Sequence, residues 1–181
     1  DRAMDVGALQ GGAAFAPQFI ENRLKFSPYI REAVAFGHQR PFVAALIAVD
    51  PSTVGSWAEG RGVAYTSYTD LSQRPQVRNL ICDEVRRCNA GLPDGVRVRR
   101  FVMLAKELEA DDAEMTRTRK IRRQHVSEKY AAAIEAVYSG EKEAELAATV
   151  TYEDGRQATV HWRVAVVDVE SAAAAQAPAH V

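Results

Sequence analysis

The order of apolar and polar positions divides this chain into short elements with clear punctuation. From Val6 to Phe15 the apolar residues are interrupted by Gly7, Gly11 and Gly12, which predicts a small hairpin or a glycine loop. Pro17 suits the first position of a helix, with Phe19, Ile20 and Leu24 on its buried face and Pro28 as its stop. Residues 33–36 and 42–49 are continuous apolar runs on either side of Gly37-His38-Gln39-Arg40-Pro41. Runs without alternation predict an antiparallel pair of strands buried on both faces. Asp50-Pro51-Ser52 ends the second strand and opens a short helix carrying Val54 and Trp57. Between Asp70 and Gly91, the residues Val77, Leu80, Ile81, Val85 and Cys88 recur at helical spacing, and Gly91 with Pro93 closes the helix.

Val96 to Ala105 returns to strand, alternating with arginines before Phe101-Val102-Met103-Leu104 becomes fully apolar. An acidic loop over Glu107–Glu114 precedes a basic stretch over Arg117–Arg123. Gln124 to Tyr138 reads as a helix with Val126, Tyr130, Ile134 and Val137 inward. Thr149–Glu153 and Ala158–Asp168 alternate strictly, placing Val150, Tyr152, Val160, Trp162, Val164 and Val166 on one face. Asp154-Gly155 is the turn between them. Ser171–Val181 is Ala-rich without core residues and reads as a disordered tail. The fold class is therefore α+β: a small, mostly antiparallel sheet flanked by helices, with an appended C-terminal β-hairpin. That class alone names no function.

At 181 residues the chain has the size of one domain. Its formal net charge of −1 gives no global attraction to nucleic acid or anionic lipid, so neither nucleic acid nor more than peripheral membrane contact is expected. Cys82 and Cys88 are poorly spaced for a disulfide and no Cys/His pattern resembles a zinc site. They read as reduced thiols of a cytoplasmic protein without a metal site of its own. No apolar stretch approaches the ~20 residues of a membrane span. The opening Asp1-Arg2-Ala3-Met4-Asp5, without an initiator or targeting pattern, suggests a piece of something longer. His38, His125, His161 and His180 have no acid or nucleophile beside them and read as structural or surface residues.

Three ordered segments carry a resemblance. Glu114-Met115-Thr116-Arg117-Thr118-Arg119-Lys120-Ile121-Arg122-Arg123 resembles the last signature motif of long-chain fatty acyl-CoA synthetases, AMP-forming members of the adenylate-forming superfamily. Phe15-Ala16-Pro17-Gln18-Phe19-Ile20-Glu21-Asn22 is similar to the family's loop-to-helix motif. Asp1-Arg2-Ala3-Met4-Asp5 resembles its interdomain hinge, with Met4 where lysine or aspartate is usual. The glycine loop departs from the family too, having Ala13-Ala14 in place of a Lys-Asn pair.

The resemblance implies a C-terminal lid domain that works with its own N-terminal ATP-binding domain on a long-chain fatty acid, ATP with Mg²⁺, and CoA. It implies that Lys120 is catalytic, bridging the fatty-acid carboxylate and the α-phosphate during acyl-adenylate formation. Met4 and Asp5 would form the hinge, and Arg2 would lie near the nucleotide. Gly11, Gly12, Ala13, Ala14 and Phe15 would face the CoA pantetheine. ATP and Mg²⁺ would be held mainly by the large domain, leaving this fragment inactive alone. The implied boundaries are 1–15 for the hinge and glycine hairpin, 16–140 for the lid, 141–170 for the hairpin extension and 171–181 for the tail.

Arg117, Arg119, Arg122 and Arg123 are open between pairing with Glu107, Glu109, Asp111, Asp112 or Glu114 and meeting the CoA 3′-phosphate. Two other functions compete: an acyl-adenylate ligase that delivers to a carrier protein, and a stand-alone polyanion-binding or regulatory domain. The basic run lacks interleaved aromatics and is balanced by the acidic loop, which disfavours polyanion binding.

Overall fold

The computed structural model describes residues 6–171. Arg2, Met4 and Asp5 of the expected hinge, and nearly all of the expected tail, lie outside the described residues.

A two-stranded ribbon, β1 (Gly7–Ala8) with β2 (Ala14–Phe15), precedes helix α1 (Pro17–Leu24). The main sheet has five strands: β3 (Ile30–Phe36), β4 (Val43–Val49), β5 (Val98–Met103), β6 (Glu143–Thr151) and β7 (Gln157–Asp168). Their spatial order is β3-β4-β5-β7-β6, with only the β4–β5 pair parallel. The parallel pair needs a long crossover. It is supplied by α2 (Pro51–Gly60), α3 (Tyr68–Gln73) and α4 (Pro75–Ala90). Helices α5 (Arg123–Lys129) and α6 (Ala131–Tyr138) follow β5. The fold is α+β with a mostly antiparallel sheet, as the hydrophobic pattern predicts.

Every residue of β4 is buried, which explains its unbroken Val-Ala-Ala-Leu-Ile-Ala-Val run. Its side chains alternate between two cores. Val43, Ala45, Ile47 and Val49 pack with Ile20, Leu24, Val77, Ile81 and Phe101, whereas Ala44, Leu46 and Ala48 pack with Val126, Val137 and Leu146.

Several expected elements are redrawn. The helix expected over 70–91 is two helices, because Pro75 starts α4 and forces Arg74 into an extended conformation (φ −64°, ψ 133°). The helix expected over 124–138 bends at Tyr130 (φ −102°, ψ 20°). Phe19 is not on the buried face: it is 55% exposed and lies under the Arg23 guanidinium, outside the Pro17, Ile20, Glu21, Leu24 stripe. Leu80 is half-buried on the flank of α4. Val96 belongs to a 3₁₀ turn before β5. Tyr152 sits exposed in the hairpin turn rather than on the strand face.

The C-terminal hairpin is longer than its alternation suggests, since Ala-rich Glu143–Ala148 also joins β6. It is built into the main sheet through β7, whose Val166, Val167 and Asp168 pair with Val102, Phe101 and Arg100 of β5.

Candidate functional site

Two loops carry the residues singled out in the sequence. The first is the turn of the β1–β2 ribbon. Leu9 N–H donates to Ala13 O at 2.9 Å and Gly12 N–H to Leu9 O at 2.9 Å, with Gly12 in the left-handed region at φ +87°. The ribbon is clamped to the β3–β4 turn: Gln39 N–H donates to Ala8 O (2.8 Å), Gln10 N–H to Arg40 O (3.0 Å) and Ala8 N–H to His38 Nδ1 (3.3 Å). Gly11, Gly12, Ala13 and Ala14 are exposed at the tip. Phe15 instead turns inward at 5% exposure. Its ring occupies the space where a side chain on Gly7 or Gly37 would stand.

The second loop spans Glu114–Arg122 and is a miniature hairpin. Met115 bridges to Ile121, Arg122 N–H donates to Glu114 O (2.9 Å), and Arg119 N–H closes a turn on Thr116 O (2.9 Å). Arg119 takes φ +62° at that turn. Thr116 binds Lys120 from both sides, donating its N–H to Lys120 O (2.8 Å) and accepting Lys120 N–H on Oγ1 (3.0 Å). Lys120 thus has a fixed backbone and an exposed side chain, and it has no ion-pair partner among the described residues.

The foot of this loop is Glu114, a fully buried carboxylate. Burying that charge requires partners. Lys129 Nζ (2.7 Å) and Tyr130 O–H (2.6 Å) donate to Oε1, while Glu109 N–H (3.0 Å) donates to Oε2. Burial, with the Glu114 carboxylate beside it, raises the Tyr130 phenol far above its ordinary range and keeps it a donor. Lys106 pairs with Asp112 and Glu109, and lies 4.0 Å from Glu114. Burial alone would lower the Lys106 pKa, but the hydrogen bond it donates to Asp112 and the charge of Glu114 raise it.

The arginines do not pair with the acidic loop. Arg119 reaches Glu32 on β3 (3.6 Å), and Arg123 binds Glu21 of α1 and donates to Ala35 O (3.0 Å). Lys106 takes Glu109 and Asp112, Lys129 takes Glu114, and Arg31 reaches Glu107 (3.6 Å). Arg117 and Arg122 are exposed and form no ion pair among the described residues. Arg117 and Arg119 nevertheless line an open cleft of about 340 Å³ with Glu109 and Asp111.

The Glu21–Arg123 pair joins the two loops' supports. α1 leaves the glycine ribbon directly, and α5 follows the Lys120 loop directly. Glu21 is 4% exposed, and burial raises its pKa more than Arg123 lowers it. Between the ribbon and the α5–α6 pair lies a cleft of about 460 Å³, lined by Gly7, Phe15, Arg123, Ala131, Ile134 and Tyr138 among others. Glu114, Tyr130 and Lys129 escaped the reading of the sequence as a support for Lys120. An acidic residue opening a basic motif was the available signal. Among the described residues, no group of three or more His, Cys, Asp or Glu side chains could hold a metal ion. No helix among them is long and apolar enough to cross a membrane.

Residues 5–142 match the family described as AMP-binding enzyme C-terminal domain. Over 141 residues the chain is 33% identical to Long-chain-fatty-acid--CoA ligase FadD15 of Mycobacterium tuberculosis, covering 77% of this chain and 24% of that protein. It is 26% identical over 142 residues to Long-chain-fatty-acid--CoA ligase 6 of Homo sapiens, covering 77% and 20%. The chain thus spans a fifth to a quarter of the length of these relatives. Among solved structures, the A domain of carboxylic acid reductase from Segniliparus rugosus, in complex with AMP and a co-purified carboxylic acid, superimposes with a TM-score of 0.62. At 20% identity, over 77% of this chain and 20% of that one, this is a likeness of fold.

Proposed function

Because this chain belongs to the AMP-binding enzyme C-terminal domain family, we propose that it is the mobile small domain of a long-chain fatty acid–CoA ligase, with Lys120 as its catalytic residue. In this reading a fatty-acid carboxylate attacks the α-phosphate of ATP, pyrophosphate leaves, and an acyl-adenylate forms. Two anionic groups must meet in line. An ammonium that contacts both lowers their repulsion and stabilises the charge that builds up between them. ATP and Mg²⁺ would be held mainly by a larger partner domain. The small domain then turns about its hinge, withdraws Lys120 and brings the glycine ribbon to the CoA pantetheine. The CoA thiol attacks the acyl carbonyl and AMP leaves.

One observation carries this reading: Thr116 pins the backbone of Lys120 on both sides while its side chain stays exposed and unpaired among the described residues. A fixed base with a free tip is what delivery to another domain requires. The exposed Gly11 and Gly12 support the second half-reaction, because a backbone without side chains admits a ligand closely.

The test uses the intact ligase. Lys120→Ala is expected to slow acyl-adenylate formation, read as pyrophosphate release, by ~10²–10³-fold, the scale of losing one preorganised donor. Thioester formation from supplied acyl-adenylate should stay close to wild type. Equal losses in both half-reactions would overturn the assignment.

A further inference from the structure

Three local irregularities meet at one contact beside Lys120. The first is in β3, whose pairing with β4 shifts between Ile30 (opposite Val49) and Glu32 (opposite Ala48). An extra residue on one strand re-aims the side chains that follow it. Ile30 thereby stays in the core with Ile20 and Val49. Glu32 instead shares the opposite face with Val34, the face that carries Met115 and Ile121 of the Lys120 hairpin. Without the bulge, Ile30 and Glu32 would lie on one face, and one of the two would be misplaced.

The second irregularity is Glu32 itself. It is 6% exposed, and its Oε2 is buried without a hydrogen-bond partner among the described residues. Two cations attend it: Lys25 Nζ lies 3.5 Å from Oε2, and Arg119 Nη2 lies 3.6 Å from Oε1. A buried carboxylate satisfied this poorly adds little to stability, so stability does not explain it. The third irregularity is Arg119. It ends the turn Thr116-Arg117-Thr118-Arg119 in the left-handed region, at φ +62°. A three-residue hairpin loop normally gives that place to glycine. An arginine there strains the backbone, and its side chain is the part that can offset the strain. That side chain goes to Glu32, and the next residue in the chain is Lys120.

We propose that Glu32 and Arg119 are positioning residues for Lys120. The carboxylate draws the arginine onto β3 and so sets the direction in which the hairpin presents the lysine. Thr116 fixes the Lys120 backbone within the hairpin, and Glu114 fixes the foot. Neither ties the turn itself to the sheet. The Glu32–Arg119 contact does, from the residue directly before the lysine. A group that must meet two anions in line gains from such a second point of attachment. The inference rests on Lys120 as the adenylation residue, and its test separates the two.

The experiment follows the two half-reactions of the intact ligase separately, pyrophosphate release for adenylation and thioester formation from supplied acyl-adenylate. Arg119→Gly removes the guanidinium and installs the residue that this φ favours, so folding is not at risk. Glu32→Gln keeps the volume and removes the charge. Each is expected to lower kcat for adenylation about ten-fold, less than the loss on removing Lys120 itself. KM for ATP and fatty acid, and thioester formation, should stay close to wild type. The double variant should be no slower than either single, because both remove one contact. Arg119→Lys keeps the charge and should recover most of the rate. Wild-type adenylation in Arg119→Gly would refute the proposal. So would equal losses in both half-reactions, or single losses that multiply in the double variant. Lys120→Ala is measured beside them. If it leaves adenylation untouched, the catalytic assignment fails and the positioning pair with it; a slow Lys120→Ala beside a fast Arg119→Gly sinks the pair alone.

Discussion

The glycine ribbon and the Lys120 hairpin are both small loops that end in exposed tips, yet they are held by opposite means. The ribbon is fastened by backbone hydrogen bonds and by the Phe15 ring lying against Gly7 and Gly37, with His38 adding a polar side chain. The lysine hairpin is fastened at its foot by a buried carboxylate with three donors, and at its tip by Thr116. Close backbone contact leaves the ribbon tip, Gly11 to Ala14, without charge or side-chain bulk. A buried ionic foot fixes the hairpin in space while its outer cations stay solvated. In the proposed reaction the first loop would offer shape and the second a charge.

Substitutions can break this contrast at several strengths. The largest effect is expected from Glu114→Ala, which leaves Lys129 without its buried counter-charge and the Tyr130 hydroxyl without its acceptor. Removing one member of such a group costs about 3–5 kcal/mol, measurable by urea unfolding, and adenylation should fall although Lys120 is intact. Unchanged stability would show that the foot is not an anchor. Gly7→Ala comes next. Its new methyl would stand 2.5 Å from Phe15 Cε1, and overpacking of this kind costs about 1–3 kcal/mol. Combining it with Phe15→Leu should recover part of the loss, and a double variant no better than the single would contradict the packing account. Smaller effects separate the two tip glycines. Gly12→Ala forces a side chain at φ +87° and should cost about 1–2 kcal/mol, whereas Gly11→Ala meets open space and should stay within about 0.5 kcal/mol. Equal costs at both positions would mean that backbone strain does not govern the tip.

Much of the architecture was legible in the chain before any coordinates. The unbroken apolar run of β4, the helical stripe of α4 and the Asp154-Gly155 turn each state their environment locally. The errors are also local in cause. The helical spacing of α4 begins at Val77 and so leaves the break at Pro75 unmarked, and Phe19 is exposed despite its hydrophobicity. The candidate site was legible in part. The motif's resemblance pointed to Lys120, whereas of the two roles open to its neighbouring arginines, pairing with the acidic loop is not the one that Arg119 and Arg123 take. Their partners Glu21 and Glu32 lie far back in the chain, whereas Lys106 and Lys129 take the nearby acids.

What the order of residues determined by itself is therefore most of the elements and most of their buried faces. Those features depend on periodicity and turn chemistry within a few residues. Tertiary structure alone decided that Glu114 is the foot of the hairpin, that Arg123 bridges 102 positions to Glu21, and that β7 inserts the C-terminal hairpin into the main sheet. Each of these depends on which elements meet. A charge has no local mark of its distant partner, and a strand has no local mark of the edge it will join.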